Sequence, residues 1–199
     1  MSLTRYNRKR DFKQTTEPGP RKKLKKSESM AFVVQRHDAT RLHYDFRLEM
    51  EGVLKSWAVP KGPSMNPGDK RLAIMVEDHP YDYKNFYGII PKGNYGAGEV
   101  EIWDEGTYTD LEESDKKTAE KKLLSGLKKG EIKFRLHGKK LTGEFVLVKL
   151  KGREDNQWLL IKHHDKYATE KSFNIENITS FKSQRLKKRK LKNRFRREA

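Results

Sequence analysis

The sequence predicts a mostly β protein, organised as a barrel or a sandwich of short strands. From Phe32 onward, short apolar stretches alternate with polar residues at a period of two, the pattern of strands with one buried face. Turn-forming stretches rich in Pro, Gly and Asn separate them at residues 60–63, 66–68 and 93–96. Many short strands at this spacing are typical of barrels and sandwiches.

The predicted strands cover residues 32–36, 42–50, 53–59, 71–77, 99–103, 131–136, 144–150 and 157–162. One helix interrupts them, for which Ser114 is the predicted N-cap and which runs to about Leu127. Gly126 and Gly130 fit its end. The apolar face of this helix consists of Ala119, Leu123, Leu124 and Leu127. A second short helix is predicted at residues 175–181.

Composition limits the class of protein. The chain has 199 residues, of which 34% are hydrophobic and 37% charged, so we expect a soluble protein with its apolar residues concentrated in the strands. It contains no run of about 18 apolar residues, and no apolar stretch follows its basic start as in a secretory signal, so we expect a cytoplasmic protein without membrane association. The absence of cysteine excludes disulfides, thiolate metal sites and a cysteine nucleophile.

The net charge of +17 is concentrated at the two ends of the chain. Residues 1–30 sum to +7 and residues 182–199 to +9, which leaves +1 for residues 31–181. We therefore expect a basic N-terminal arm (1–30), a folded β domain (31–181) and a basic C-terminal tail (182–199). Cationic ends on a nearly neutral body are typical of proteins that bind nucleic acid, although solvated tails without a partner would have the same composition.

The stretch RLHYDFRLE places three polar groups on one face of a predicted strand. His43, Asp45 and Arg47 alternate with apolar residues, so their side chains project together about 6.6 to 6.8 Å apart. An imidazole and a carboxylate in this arrangement can share a divalent metal, and a neighbouring guanidinium can bind a phosphate. His37 lies close enough in sequence to fold back as a further ligand. By spacing alone, an ion pair on a solvated face is an equally good interpretation.

The stretch RLAIMVEDHP predicts a second contribution to a site. Alternation places Arg71, Ala73, Met75, Glu77 and His79 on one face of the strand, with Leu72, Ile74 and Val76 facing the core. A histidine before proline at a strand end suits a phosphate ligand or general acid, because imidazole titrates near neutrality. A histidine that caps a turn is the structural alternative.

Two other functional classes agree with these residues. His43, Asp45 and His79 resemble the two-histidine, one-carboxylate iron site of an oxygenase, although its small acidic substrates would not require cationic arms. A non-catalytic nucleic-acid-binding barrel is the other class, with Trp57, Tyr95 and Trp103 stacking on bases. Aromatic residues at such positions more often belong to the core.

A resemblance that extends over about residues 5–168 rests on four sequence blocks within residues 37–168: HDATRLHYDFRLEMEGVLKSWAVPKGPS, RLAIMVEDHPYDYKNF, GIIPKGNYGAGEVEIWDEGTY and WLLIKHHDKYA. In combination they resemble the 3′-phosphoesterase domain family of bacterial DNA ligase D. The resemblance implies a closed antiparallel β-barrel of about eight strands flanked by short helices. It also implies Mn²⁺ as cofactor, with other divalent transition metals as alternatives. The implied activity removes a 3′-terminal ribonucleoside as a phosphodiesterase, then the remaining 3′-phosphate as a phosphomonoesterase, at DNA or RNA-tipped DNA ends.

The resemblance also implies roles for individual residues. The metal ligands would be His37, His43 and Asp45. The catalytic residues would be Arg47, His79, Tyr83 and, from the arm, Arg10, Asp11 and Glu17. Further polar residues that line the site would be Gln35, Lys61 and Arg71. Tyr87 departs from the family pattern, which usually has glutamate there. The chain has no lysine-x-Asp-Gly ligase motif and no polymerase region, so we expect a freestanding monomeric module that works with a separate DNA ligase and polymerase.

Overall fold

The computed structural model of the chain describes residues 3–19, 28–112, 115–152 and 154–178. Its helices are α1 (Thr4–Arg8) and α2 (Lys116–Lys129), with 3₁₀ helices at Tyr81–Asn85 and Ile175–Ile178. Its strands are β1 (Met30–Asp38), β2 (Leu42–Met50), β3 (Val53–Val59), β4 (Arg71–Met75), β5 (His79–Pro80), β6 (Gly88–Ile90), β7 (Gly98–Asp110), β8 (Glu131–Gly138), β9 (Thr142–Lys149) and β10 (Gln157–Lys162). Within these residues no helix is long and apolar enough to cross a membrane.

Eight of the strands close into an antiparallel barrel. They follow the order β1-β2-β3-β4-β10-β9-β8-β7, and pairing of β7 with β1 completes the circle. The two remaining strands lie at the edge of this barrel, where β5 pairs with β3 and β6 with β7. The predicted fold class is therefore confirmed, and closure removes the exposed edges that an open sheet would present.

Two apolar clusters occupy opposite faces of the β1-β2-β3 wall. The larger one fills the barrel interior with residues such as Phe46, Trp57 and Phe134. The smaller one lies outside the wall and consists of Tyr6, Leu54, Tyr83, Phe86, Ile90 and Val100. It fastens the N-terminal arm and the segment from β5 to β6 onto the barrel, so a wall that would otherwise face water is covered.

Helix α2 packs against the barrel much as its sequence predicts. Ala119 and Leu123 are buried, and Leu124 and Leu127 pack against the core. The N-cap is Asp115, whose carboxylate accepts hydrogen bonds from the backbone N–H groups of the first turn. The predicted N-cap, Ser114, lies outside the described residues. Gly130 ends the helix in the left-handed conformation, with φ 90°.

The remaining differences from prediction concern short elements and one strand face. The predicted helix at 175–181 is a 3₁₀ helix at Ile175–Ile178, and the rest of that segment lies outside the described residues. Strands β5 and β6 and helix α1 were not predicted, because two to five residues are too few to show a periodic pattern.

The predicted orientation of β4 is wrong. Ala73 is fully buried in the barrel core and Met75 packs against that core, whereas Leu72 is 38% exposed. The strand also ends at Met75, and His79 belongs to β5. The small Ala73 side chain faces inward because Trp158, also fully buried, pairs with it from β10 and fills the space.

Candidate metal and phosphate site

The candidate site is built on the outer face of the β1-β2-β3 wall. The register pairs His37 with His43, Gln35 with Asp45, and Arg47 with Ser56. All of these side chains project away from the barrel interior, because the alternate residues of each strand fill the core. The predicted polar face of β2 is confirmed, but it is buried under the arm and the β5-to-β6 segment, so the alternative of a solvated ion pair is wrong.

His37, His43 and Asp45 form a cluster with metal-ligand geometry. One potential ligand atom from each residue lies within 4.8 Å of the others. The Nδ1 atom of His37 is 3.5 Å from one Asp45 carboxylate oxygen, and the Nε2 atom of His43 is 3.7 Å from the other. Two imidazole nitrogens and a carboxylate oxygen suit a divalent transition metal.

Hydrogen bonds orient both imidazoles toward this cluster. The Nε2–H of His37 donates to the carbonyl oxygen of Gly96 at 2.9 Å, which leaves Nδ1 with its lone pair directed at Asp45. The Nδ1–H of His43 donates to the carbonyl oxygen of Arg41, also at 2.9 Å, which leaves Nε2 for the same purpose. Such backbone acceptors fix the tautomer and ring orientation of metal-binding histidines, so the donor set fits a metal.

Arg47 is the buried cation of the site. Its guanidinium donates to Gln35 Oε1 at 2.7 Å, Ser56 Oγ at 2.9 Å and Asp45 Oδ2 at 2.9 Å. Burial by itself would raise the pKa of the Asp45 carboxyl, but the charge of Arg47 and the neighbouring imidazoles of His37 and His43 together hold that pKa well below its usual range. Asp45 is therefore ionised at neutral pH, as a metal ligand must be.

The N-terminal arm brings a second arginine to the same place. Arg10 donates through Nε to Glu17 at 2.9 Å and through Nη1 to Glu77 at 3.2 Å, and its guanidinium lies 3.8 Å above the Tyr6 ring. Glu17 is fully buried and also accepts a hydrogen bond from the Tyr83 hydroxyl at 2.8 Å. The arm thus closes over the wall through charged groups with satisfied hydrogen bonds.

His79 lies between the two arginines and is neutral. Its pKa is well below the ordinary value, because burial disfavours the imidazolium and both Arg47 and Arg10 repel it. Its Nδ1–H donates to the Glu77 carbonyl at 2.9 Å, and its Nε2 accepts from Arg10 Nη2 at 3.2 Å. In this state the arginines, and not His79, carry the positive charge of the site.

A cavity of about 230 Å³ joins these groups. Seven of the predicted site residues line it, namely Arg10, His37, His43, Asp45, Arg47, His79 and Tyr83. Three candidate metal ligands, two guanidinium groups and a buried phenol therefore surround one small space. This combination can bind a phosphate group and neutralise its charge.

The other predicted site residues lie elsewhere. Gln35 is fully buried behind Arg47, where its amide donates to the carbonyls of Tyr83 and Phe86. Asp11 is exposed and accepts hydrogen bonds from Lys13 and Gln14 within the turn that follows Arg10. It shapes the arm and does not pair with the metal cluster.

Lys61 and Arg71 line a separate cavity of about 420 Å³. Arg71 donates to Asp69 at 2.8 Å and to the Phe173 carbonyl at 3.0 Å. In this structure the two residues therefore do not line the cavity that contains the candidate metal ligands, and their role at the site stays a prediction. Arg71 shares the inward face of Ala73 at the start of β4, and Lys61 follows the end of β3, so neither lies on the outer wall.

Sequence reasoning assigned no role at this cavity to three of its neighbours, Glu77, Ser56 and Gly96, and it named a fourth, Tyr95, only as a base-stacking candidate of the non-catalytic alternative. Glu77 accepts hydrogen bonds from Lys9 at 2.9 Å and from Arg10, which lower its pKa against the opposing effect of burial. The alternation of Glu77 with His79 along the sequence could have indicated that both side chains lie at the same site. Ser56 and Gly96 carried no such signal, because their contacts depend on strand pairing and on the backbone of a loop.

Comparison with known proteins identifies the family. Residues 35–149 match the model of the DNA ligase D 3′-phosphoesterase domain, more than half of the chain. The chain belongs to the DNA ligase D 3′-phosphoesterase domain family. All three cluster residues of this family member, His37, His43 and Asp45, lie inside the matched segment, whereas Arg10 and Glu17 of the arm precede it.

Similar proteins carry the name multifunctional non-homologous end joining protein LigD. The one from Pseudomonas aeruginosa is 51% identical over 166 residues, which are 82% of this chain and 19% of the relative. The one from Mycobacterium bovis is 42% identical over 177 residues, 88% of this chain and 21% of the relative. The one from Mycolicibacterium smegmatis is 43% identical over 164 residues, 82% and 21% respectively. The chain thus spans about a fifth of the length of these relatives.

Proposed function

We propose that this phosphoesterase-family chain is a metal-dependent hydrolase that heals 3′ ends of DNA or RNA-tipped DNA in non-homologous end joining. It would first remove a 3′-terminal ribonucleoside and then the remaining 3′-phosphate, leaving a 3′-hydroxyl. The observation that carries the proposal is the His37–His43–Asp45 cluster in one cavity with Arg47 and Arg10. A separate or linked DNA ligase and polymerase would use the healed end.

Mn²⁺ is the proposed metal, held by His37 Nδ1, His43 Nε2 and an Asp45 carboxylate oxygen. When bound, it would supply a Lewis acid that polarises a non-bridging phosphate oxygen. The mixed nitrogen and oxygen donor set supports a divalent transition metal.

Arg47 and Arg10 would bind and orient the phosphate. Each terminal guanidinium nitrogen of Arg47 makes one hydrogen bond to the protein and has a second N–H, and both terminal nitrogens belong to a side chain that lines the cavity. Charged donors held in place by buried partners stabilise the additional negative charge of a phosphoryl-transfer transition state without reorganising. Gln35 and Glu17 would act as positioning residues behind the two arginines.

Tyr83 and His79 would define the remaining wall. The Tyr83 hydroxyl is engaged with Glu17, and burial, together with the negative charge of Glu17, raises the pKa of this phenol well above its usual value although Arg47 opposes the shift. Tyr83 therefore stays protonated and can donate to a phosphate oxygen if it exchanges partners. Neutral His79 has Nε2 available as a proton acceptor once Arg10 turns toward the phosphate.

The two alternative functions, an oxygenase and a non-catalytic nucleic-acid binder, have less support than the phosphoesterase. The oxygenase hypothesis used His79 as an iron ligand, but the Nε2 atom of His79 contacts Arg10 and the second cluster histidine is His37. The two arginines also favour phosphate over a small acidic co-substrate. The non-catalytic binder relied on Trp57, Tyr95 and Trp103 for base stacking. The two tryptophans are at most 2% exposed and lie in the core, which leaves Tyr95, 49% exposed, as the one of the three that could stack on a base.

The decisive experiment offers the protein and Mn²⁺ a primer–template that ends in a single ribonucleotide, and separately one that ends in a 3′-phosphate. The wild type should convert both to a 3′-hydroxyl end. His43→Ala should reduce both rates by at least about 100-fold, because it removes a metal ligand. Its bound Mn²⁺, measured by equilibrium dialysis, should fall in parallel.

His137→Ala is the matched control, since His137 is exposed on β8 and lines no part of the cavity.

A 2′-deoxynucleotide end should slow the first step, because we expect the ribose 2′-hydroxyl to take part in it. Activity with Fe²⁺ and a keto acid but not with Mn²⁺ would instead favour an oxygenase. Unchanged turnover of His43→Ala would exclude the proposed metal site.

A further inference from the structure

Tyr95 lies between the cavity that contains the candidate metal ligands and a neighbouring groove. Its side chain lines the cavity and also the groove, which measures about 620 Å³ and is bordered as well by Arg5, Lys9 and Asp155. The Tyr95 side chain is 49% exposed. Val76 and Glu77 line both spaces as well, so the cavity and the groove adjoin along these three residues.

The position of Tyr95 is fixed relative to the metal cluster. The next residue, Gly96, accepts the His37 hydrogen bond through its backbone carbonyl. Lys9 donates to the Tyr95 hydroxyl at 3.1 Å and its amine lies 4.3 Å from the ring centroid, while Glu77 holds the same amine at 2.9 Å. The ring is therefore preorganised, and little side-chain entropy would be lost when a ligand stacks on it.

The charge of the groove does not suit a nucleic-acid strand. Its lining contains the cations Arg5 and Lys9 but the carboxylates Glu77, Asp78 and Asp155. A phosphodiester backbone prefers a surface with excess positive charge. An aromatic ring beside mixed polar groups suits an uncharged ligand that has a π face and hydroxyl groups.

We propose that this groove binds the nucleoside that the diesterase step releases, with its base stacked on Tyr95. The inference rests on the proposed function and adds where the leaving group is held. In that hydrolysis the water oxygen bonds to phosphorus, the bond from phosphorus to the 5′ oxygen breaks, and that oxygen takes a proton. The leaving nucleoside is thus uncharged, whereas the strand keeps the phosphate.

The burial of the site explains why a new stacking partner is needed. Arg47 is only 2% exposed, so the scissile phosphate must enter a space of about 230 Å³ that has no room for a base pair. The terminal base must leave its duplex partner, at a cost that a protein stacking platform offsets. Tyr95 is the half-exposed ring that borders this space.

The test compares three ends on the same primer–template: a terminal ribonucleotide with adenine, the same ribose without a base, and a 3′-phosphate. Tyr95→Ala should lower kcat/KM about 5- to 150-fold on the adenine end, the range expected for one base–aromatic stack. It should leave the abasic and 3′-phosphate ends unchanged, since neither presents a base to the groove. Tyr95→Phe should stay close to wild type on all three ends.

Tyr87→Ala is the control, because Tyr87 is 70% exposed and lines neither the cavity nor the groove. Equal losses on all three ends would overturn the inference and assign Tyr95 a structural role through Gly96 and His37. No loss on the adenine end would also overturn it.

A second measurement separates this inference from the proposed function. Binding of the three uncleaved ends to the metal-free protein is followed by fluorescence anisotropy, and Tyr95→Ala should weaken only the adenine end. If the wild type converted none of the three ends, the proposed function would be contradicted. The binding data would still decide whether Tyr95 holds a base. Binding that does not depend on the base would exclude that role.

Discussion

At the scale of single residues, the site depends on buried polar groups that satisfy one another. Arg47 is almost fully buried, and Asp45, Gln35 and Ser56 all accept from it. A buried guanidinium without these partners would be strongly destabilising. The same partners keep Asp45 ionised and the arginine aimed at the cavity, so stability and the proposed phosphate binding would rely on the same hydrogen bonds.

The neutral state of His79 predicts a dependence of stability on pH. Its folded pKa is lowered by burial and by Arg47 and Arg10, so between that pKa and the ordinary value of 6.5 the unfolded chain binds more protons. The stabilisation is fully present above pH 6.5 and is lost as the pH falls below it, by at most about 1.4 kcal/mol per pH unit. Urea unfolding with a chelator should therefore show a steeper loss of stability from pH 7 to pH 5.5 in the wild type than in His79→Gln. Parallel pH profiles for the two proteins would contradict the assignment of a neutral, buried His79.

At the scale of elements, local sequence predicted where the long strands and the one long helix lie, although it assigned β7 only residues 99–103 of Gly98–Asp110, and it did not predict the cover of the site. The polar face of β2 followed from strict alternation over nine residues. The cover consists of α1, β5, a 3₁₀ helix and β6, each no longer than five residues. Such short elements are stabilised by contacts with the wall, such as those of Tyr6 and Tyr83, and not by local propensity.

The N-cap of α2 gives a prediction at this scale. Asp115→Ala removes the side-chain acceptor of the Lys117 and Thr118 backbone N–H groups, so it should lower the melting temperature by about 2 to 4 °C. Activity should be unchanged, because α2 packs on β7 and β8, away from the cavity. Ser125→Ala, an exposed change in the middle of the helix, is the control and should not lower it. An equal melting temperature for Asp115→Ala and the wild type would assign the cap to another residue.

At the scale of the whole molecule, a nearly neutral barrel carries its catalytic candidates on its outer wall and most of its positive charge at its ends. The barrel interior is filled with apolar side chains, so no ligand site is available there. Closure of the barrel leaves the outer wall as a rigid support. The basic segment 182–199 lies outside the described residues, and its predicted role rests on its charge of +9.

Removal of residues 182–199 should weaken binding to DNA or RNA ends without abolishing the chemistry. A protein with fewer cationic side chains neutralises fewer phosphates and so releases fewer counterions from the nucleic acid when it binds. The slope of log affinity against log salt concentration should therefore become shallower. Turnover at saturating substrate should be retained, since the predicted metal ligands are distant in sequence. Anisotropy at several salt concentrations measures the loss of binding, a turnover assay at saturating substrate measures the chemistry, and dialysis against Mn²⁺ measures metal binding. Loss of metal binding in the truncated protein would refute this division of roles.

The sequence by itself determined the β class, the helix α2, the alternating face of β2 and the charged ends, because each follows from local periodicity or from counting charges. It also carried the family motifs, which pointed to His37, His43 and Asp45. Only the tertiary structure decided that these residues meet under a cover supplied by the arm, that Lys61 and Arg71 lie in another cavity, and that Tyr95 and Glu77 border the site. Those facts depend on strand register, on which face of β4 is buried and on contacts between segments far apart in the chain, and none of these has a local signature in the sequence.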